Sequence, residues 1–545
     1  MTVPLYPEFF NDVFGPIMQP GSSSHTAAPC RLGNVAHSLL GERLEKIQVV
    51  LDKAGSFAGT FGLMYEDHAM LAGAMGWLPD DARIFEAANL ARAAGIEFAC
   101  EFTDMKESAH INAMKFVLTG ESGKVISLVG DSTGGGMIET QVVNGYPLRV
   151  KGDCYVILVF DPHESLTAAQ IECITSYLAG YLESGDSRVD GKGSLHFVKV
   201  ADPPDLEAIR AMLPGLQVEL LKPVLPVITR PERKAQLFDT MTRWREIAAE
   251  RELPLWQVAV QYEMDASGWT REQVIDTMRH VARKMHRQTH AVYDENVTVP
   301  AGPFKANLAA MWEQHAMHRT PRRLTDDLTA NTLKWAFGAG AGIPGVETVP
   351  GPMGSGGGYI YAALCAVQEA KGFSDDDLLR GLFIAAGIGA IAYTRTEPTG
   401  EVIGCTGECG MCGAMAAAAI AEMAGGTPEQ VENAASLSLQ AFIGMPCDPI
   451  PGGLSQPCRS RIIAATCMAS IFADLALAGR DAVLPLHEAI DVADAVGRQL
   501  PVELLCTSRG GACSAPTARR QAAAFRAWYE RMQAEDIQRP PGNLI

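Results

Sequence analysis

The sequence predicts an α+β protein in three parts: an N-terminal α+β domain over residues 1–150, a small α/β module over 151–229 and a large all-α domain over 230–545. Two observations carry this expectation. At 545 residues the chain is too long for one core, and at roughly 100–200 residues per domain it divides into two to four. Apolar spacing also changes character along it, mixing strand-like and helical runs up to Val227 and turning almost wholly helical from Arg230.

Taken in order, Ala36–Ala54 carries Leu39, Leu40, Leu44, Ile47, Val50 and Leu51 at helical spacing and predicts one helix. Strand-like runs follow at Glu97–Thr103, Val125–Val129 and Met137–Val143. Cys154–Phe160, Thr167–Tyr181, Leu195–Val200, Leu206–Leu213 and Gln217–Val227 then read strand, helix, strand, helix, strand, a βαβαβ-type module. Lys234–Arg251, Leu255–Tyr262, Arg271–Ala291 and Phe304–Arg319 read as helices, as does most of the chain through Ala473. Pro300–Pro303 marks a minor boundary, Gly338–Gly358 interrupts the helices, and Thr517–Glu535 predicts a last one.

Hydrophobic residues at 47% and charged residues at 20% fit an ordinary globular protein and exclude a disordered one. Lys plus Arg number 45 against 63 Asp plus Glu, and a net charge of -18 excludes a nucleic-acid binder, which needs a basic footprint. No apolar run reaches the ~18 residues of a membrane span, so no membrane partner is expected. The opening Met1–Gly15 lacks a basic then apolar leader, which predicts a cytoplasmic protein.

Cysteine is the informative residue. There are 13, nine of them between Cys365 and Cys513. In a reducing compartment such clustering points to metal or redox work rather than disulfides. Cys30, Cys100, Cys154, Cys173, Cys365 and Cys467 read as small core residues. Three short segments stand apart: Gly404-Cys405-Thr406-Gly407-Glu408-Cys409-Gly410 before an Ala-rich helix, Pro446-Cys447-Asp448-Pro449, and Gln456-Pro457-Cys458. Cysteines on Gly/Pro turns at helix starts favour thiolates, and thiolates select zinc or iron–sulfur clusters. Zinc commonly takes a fourth Cys or His, yet His487 is the only histidine after His318. A cluster on three thiolates leaves one iron open as a Lewis acid.

These segments resemble the iron–sulfur-dependent L-serine dehydratases. GSSSHTAAPCRLG (Gly21–Gly33) resembles the family's GPSSSHT opening, GCTGECG its first ligand motif, and CDPIPGGLSQPC its Cys-Asp-Pro…Pro-Cys segment. AGSFAGT, LAGAMGWLPDDARI and TSRGGAC also match, so the resemblance covers most of the chain in the order β domain, ACT-like module, α domain. It implies that Cys405, Cys447 and Cys458 hold a [4Fe–4S] cluster, that the protein is a homodimer, and that its partner is a small amino-acid-like substrate. It further implies a dehydration in which the substrate's hydroxyl binds the open iron while a base removes the α-proton, followed by release of ammonia and a 2-oxo acid. Ser22, Ser23, Ser24, His25 and Thr26 would form a substrate-binding loop, with Ser355 of the glycine-rich stretch and Arg461 beside them. His25, Ser24, Thr26 and Glu408 are the catalytic candidates. The plainer readings are a Ser/Thr helix cap for the serine loop and a helix-start charge for Glu408.

The chain also departs from the family pattern. Thr60-Phe61-Gly62-Leu63-Met64-Tyr65-Glu66-Asp67 lacks the usual lysine and histidine, although Tyr65, Glu66, Asp67 and His68 offer polar replacements. Gln440–Ile443 replaces a histidine-containing stretch, Ser460-Arg461-Ile462 keeps only an arginine, and Pro350–Gly358 replaces an Ala-Pro-Thr-containing loop. These changes predict weak turnover of L-serine and a preference for a larger β-substituted acid. The C-terminus, Gly542–Ile545, carries no cysteine to cap an open iron, which leaves Cys506 and Cys513 as candidates. Three rivals stand beside this reading. Cys405, Cys409 and Cys412 spell the C-x3-C-x2-C of radical S-adenosylmethionine enzymes. A pyridoxal-phosphate lyase needs a Schiff-base lysine, and only Lys334 and Lys371 lie beyond residue 330. An amino-acid sensor would leave the helical half without a role.

Overall fold

The computed structural model describes residues 6–178, 180–300, 304, 306–317, 322–452 and 456–534. It is an α+β protein with two sheets followed by a helical half. The boundary expected at Pro300–Pro303 falls largely outside the described residues, as does Gly542–Ile545.

The first sheet holds Leu44–Asp52 (β1), Glu97–Thr103 (β2), Ala113–Gly120 (β3), Val125–Gly134 (β4), Met137–Val143 (β5) and Tyr146–Pro147 (β6) in the order β2-β1-β3-β4-β5-β6. Only β1 and β2 pair in parallel. The helix expected over Ala36–Ala54 is a correction: the chain runs as helix Ala28–Leu40, turns at Gly41 in the left-handed region (φ 69°), and continues as β1. Leu44, Ile47 and Leu51 satisfy both periods, and the β-branched run Ile47–Val50 favours the strand once β2 and β3 offer partners. The runs at Glu97–Thr103 and Met137–Val143 form strands as expected, while β3 escapes the periodicity reading.

The second sheet contains Tyr155–Asp161 (β7), Glu183–Val189 (β8), Gly193–Val200 (β9) and Gln217–Leu221 (β10), ordered β10-β7-β9-β8 and wholly antiparallel. With helices Ala168–Tyr177 and Leu206–Met212 it is a βαββαβ unit, one strand richer than expected, because β8 (ESGDSRV) is polar and exposed. The interior strand β7 is apolar from Tyr155 to Phe160 because both faces are covered. Ile157 and Val159 pack under the unit's own helices, whereas Val156, Leu158 and Phe160 join the core of the first domain.

In the helical half, Met411–Met423 is buried almost all round, since its alanines let neighbouring helices approach closely. It packs against Gly356–Lys371, Asp375–Arg395, Pro428–Gln440 and Ala469–Leu477. Phe9, Phe10, Val13 and Phe14 enter this same core, so the chain's first described residues belong with its helical half rather than with the sheet that follows them. Asp375–Arg395 and Cys458–Leu477 are long and apolar enough to cross a membrane, against the expectation of no such stretch. The first is 72% buried inside the protein and behaves as a core helix. Thr517–Glu535 corresponds to helix Pro516–Ala534.

Glu263 ties the N-terminal segment to the helices. Its Oε2 accepts the Phe9 N–H at 2.7 Å while Oε1 is buried without a partner, and burial pushes the carboxyl up to about 8. Unfolded chains release this proton near pH 4.5 and the folded protein holds it to about 8, so the group's contribution to stability falls as pH rises between those values. Glu263→Gln, which has no proton to hold, should gain melting temperature relative to the parent between pH 5 and pH 8. An identical difference at both values would show that the carboxylate is ionised in place.

Candidate active site

Two of the segments that the sequence singles out are delivered by an unusual turn. Ser23–Ala27 is a π-helical turn running into helix Ala28–Leu40, and Thr406–Gly410 is another running into Met411–Met423. Such turns are uncommon and concentrate at functional sites. Cys405 immediately precedes the second turn, and Cys458 opens helix Cys458–Cys467. Cys447 lies on a short extended bridge to Leu505.

The ligand atoms of Cys405, Cys447 and Cys458 all lie within 4.8 Å of one another, with Cys405 Sγ 3.6 Å from Cys458 Sγ. Hydrogen bonds with Cys409, Cys447 and Cys458, together with the Arg461 guanidinium, pull the Cys405 thiol well below its ordinary range. Neighbouring Cys447 and Cys458 are pushed up, chiefly by their bonds to Cys405. Gly400 closes the wall: a Cβ there would meet Cys447 Sγ at 2.7 Å and Glu408 Oε2 at 3.1 Å. Three gathered sulfurs beside a backbone cradle fit a thiolate-bound metal group.

Cys409 also bonds to Cys405, but Cys412 and Cys513 point elsewhere. Cys412 Sγ donates to the Gly351 carbonyl and Cys409 Sγ contacts the Cys458 carbonyl at 3.7 Å, so the C-x3-C-x2-C trio does not converge on one centre. Cys513 Sγ donates to the Asp448 and Pro449 carbonyls. Cys506 does approach the triad, because its N–H donates to the Cys447 carbonyl at 2.7 Å, and it adopts a left-handed backbone (φ 59°). Of the six cysteines expected in the core, Cys173 is exposed, and Cys100 and Cys467 are only partly covered. All 13 are free.

Beside the sulfurs the expected Ser24 and His25 join Glu401, which the sequence reading missed. Ser24 Oγ donates to Glu401 Oε1 at 2.8 Å and lies 2.9 Å from His25 Nδ1, which is itself 3.2 Å from Glu401 Oε1. The single hydroxyl hydrogen is spent on Glu401, so the serine oxygen accepts from His25 Nδ1–H. Nε2 of this fully buried ring has no partner. Burial alone would raise Glu401, but bonds from His25, Thr399 and Ser24 outweigh it and hold the carboxyl at about 2. Glu408 moves the other way, pushed well above the usual range by burial, then by Glu401 and Cys405. A ring nitrogen of His25, a Glu401 oxygen and Cys506 Sγ lie within 4.8 Å of one another. A signal for Glu401 was present: Thr399-Gly400-Glu401 repeats as Thr406-Gly407-Glu408.

Glu401, Glu408 and three of the cysteines border a cavity of about 100 Å³, room for several waters or one small polar molecule, whereas Ser24, His25 and Cys405 lie outside its lining. Ser22, Ser355, Tyr359, Glu401, Glu408, Cys447, Cys458, Arg459 and Cys506 line it. Several expected substrate contacts are placed differently. Thr26 Oγ1 donates to the Met64 carbonyl at 2.5 Å and accepts the Ser22 N–H, and Ser23 Oγ donates to the Pro352 carbonyl, so both are internal braces. Arg461 is turned to Asp448 Oδ1 at 2.6 Å, the Pro446 carbonyl and Cys405 Sγ, whereas Arg459 faces the cavity. Of the segments expected to reshape the substrate site, Gln440–Ile443 does not reach the cavity, and Thr60–Asp67 contributes only Met64. Gln440 instead donates to Ser436 Oγ and the Ala482 carbonyl.

An α+β domain and a helical domain that close around gathered thiols and a carboxylate–imidazole relay make the framework of an enzyme rather than of a sensor. A family model described as serine dehydratase alpha chain matches residues 250–512. The chain is 30% identical over 284 residues to the "Probable L-serine dehydratase, alpha chain" of Bacillus subtilis (strain 168), covering 52% of this chain and 93% of that one. It is 29% identical over 207 residues to the "L-serine dehydratase, beta chain" of Peptoniphilus asaccharolyticus, covering 38% and 92%. To the "L-serine dehydratase" of Mycobacterium bovis it is 36% identical over 173 residues, covering 31% and 37%. The chain belongs to the L-serine dehydratase family and is a lyase. Relatives divided into alpha and beta chains both match this one polypeptide.

Proposed function

We propose that this protein holds a [4Fe–4S] cluster on Cys405, Cys447 and Cys458 and dehydrates L-serine to ammonia and a 2-oxo acid. The observation that carries the reading is one small cavity whose wall is shared by Cys447 and Cys458 of the sulfur triad and by Glu401, the carboxylate bonded to Ser24 and His25. L-Serine is preferred over a larger acid, because the cavity is small and the matched relatives carry serine in their names, although the rebuilt Pro350–Gly358 lends it Met353, Gly354 and Ser355.

A cluster held there supplies a Lewis-acidic iron to a departing hydroxyl. The chain's own residues do the rest. Ser22 and Ser355 offer hydrogen bonds, and Arg459 a positive charge, to the substrate carboxylate. His25 takes the α-proton at Nε2, while Ser24 and ionised Glu401 hold its Nδ1–H and stabilise the imidazolium that forms. Glu408 keeps its proton beside Glu401, and two carboxyls pushed in opposite directions divide acid and base work. Thr26 and Ser23 brace the loop, and Arg461 anchors Cys405. Cys506 is the cap that the geometry favours over Cys513.

In this reading the βαββαβ unit is ACT-like, and the enzyme is a cytoplasmic homodimer that the exposed stripe Met468, Ile471 and Leu475 would serve. Anaerobically reconstituted protein should turn over L-serine with kcat/KM of ~10⁴ M⁻¹s⁻¹ or more. Air should inactivate it, and ferrous iron with a thiol should restore it. Full activity after air exposure and chelation, or turnover confined to larger β-substituted acids, would overturn the reading.

A further inference from the structure

A second cluster of ligand-type side chains lies outside the site described above. Helix Arg271–His290 ends in His286-x-x-x-His290, and helix Gly356–Lys371 carries Cys365-x-x-x-Glu369, so each presents a pair one turn apart. Ligand atoms of His290, Cys365 and Glu369 lie within 4.8 Å of one another, with Cys365 Sγ 3.6 Å from Glu369 Oε1.

The surroundings of each are already ordered. The His290 ring is stacked between His286 and Trp335, both at 3.8 Å between centroids. Its Nδ1 lies 3.0 Å from the His286 carbonyl and 2.7 Å from Thr289 Oγ1, which leaves Nε2 for a ligand. Trp335 Nε1 donates to Glu369 Oε2 at 3.1 Å, so one indole positions both the imidazole and the carboxylate. Outer partners of this kind orient metal ligands and set their tautomers. Cys365 is buried and Glu369 exposed, which leaves a path for an ion from solvent.

We propose that His290, Cys365 and Glu369 form a second metal site, of the class that takes Zn²⁺, joining helix Arg271–His290 to helix Gly356–Lys371. One thiolate, one imidazole and one carboxylate suit zinc with water in the fourth position, and a single oxygen donor argues against calcium or magnesium. The thiol proton leaves to solvent as the ion binds. The site braces the cavity at a distance. Gln288, two residues before His290, donates to the Ser355 and Ala339 carbonyls and accepts the Val349 N–H, pinning the loop that brings Ser355 to the substrate. None of this depends on the iron–sulfur reading.

Co²⁺ titration of the reconstituted full chain tests the proposal. One equivalent should give tetrahedral d–d bands with a thiolate charge-transfer band, and Zn²⁺ should bleach both. Cys365→Ser should lose the charge-transfer band, and Glu369→Gln, a surface change that spares the fold, should weaken Co²⁺ binding by about tenfold or more. Cys405→Ser should keep the signal, and Zn²⁺ should raise its melting temperature but not that of Cys405→Ser/Cys365→Ser. A Co²⁺ spectrum that vanishes with Cys405→Ser, or persists unchanged in both Cys365→Ser and Glu369→Gln, would overturn the proposal.

Discussion

Replacing Cys405, Cys447 or Cys458 singly by serine should remove iron–sulfur absorption and L-serine turnover together. The expected loss exceeds the ~10²–10³-fold that removal of one preorganised donor costs, because the whole Lewis-acid centre goes with its ligand. Cys412→Ser should keep iron, since that thiol is spent on the Gly351 carbonyl. Cys513→Ser should keep it too, because that sulfur serves the carbonyls of Asp448 and Pro449. Iron content, visible absorption and kcat measured on the same preparations separate these outcomes. Loss of the cluster in Cys412→Ser with retention in Cys447→Ser would reverse the assignment in favour of radical chemistry.

The second large effect falls on the relay. His25→Ala should lower kcat by ~10²–10⁴-fold, the usual contribution of a positioned proton acceptor, while leaving iron content unchanged. Glu401→Gln should approach the same loss for a different reason. A neutral amide no longer stabilises an imidazolium 3.2 Å away, and Thr399 and Ser24 lose an ionised acceptor. Ser24→Ala breaks the same chain at its middle and should fall between the parent and Glu401→Gln. A His25→Ala enzyme within tenfold of the parent kcat would assign the α-proton to another group.

Local chemistry made much of this protein legible in one dimension. Cysteines on Gly/Pro turns before apolar helices mark ligand-type thiols, which the fold then buries at Cys405 and Cys447, and the pairing of Gly21–Gly33 with the segments around Cys405, Cys447 and Cys458 points to the family without any geometry. The apolar run of β7 and the alanine-rich Met411–Met423 likewise declare burial on every side. Periodicity failed where two periods fit the same residues, as at Leu44–Asp52, and where polar residues build an edge strand, as at β8.

Tertiary structure alone decided what the recognised residues do. Ser24 and Glu401 are 377 residues apart, and no local period reports a hydrogen bond across such a distance. Arg461 and Arg459 are near neighbours on one helix, yet only the fold turns the first to Cys405 and Asp448 and the second to the cavity. Cys365 reads as a core residue until helix packing sets His290 beside it and Glu369, one turn further along its own helix. Motifs and fold class follow from short-range spacing and turn chemistry, which the sequence by itself determines. Partners, proton directions and cavity walls follow from long-range packing, which exists only once the domains close on one another.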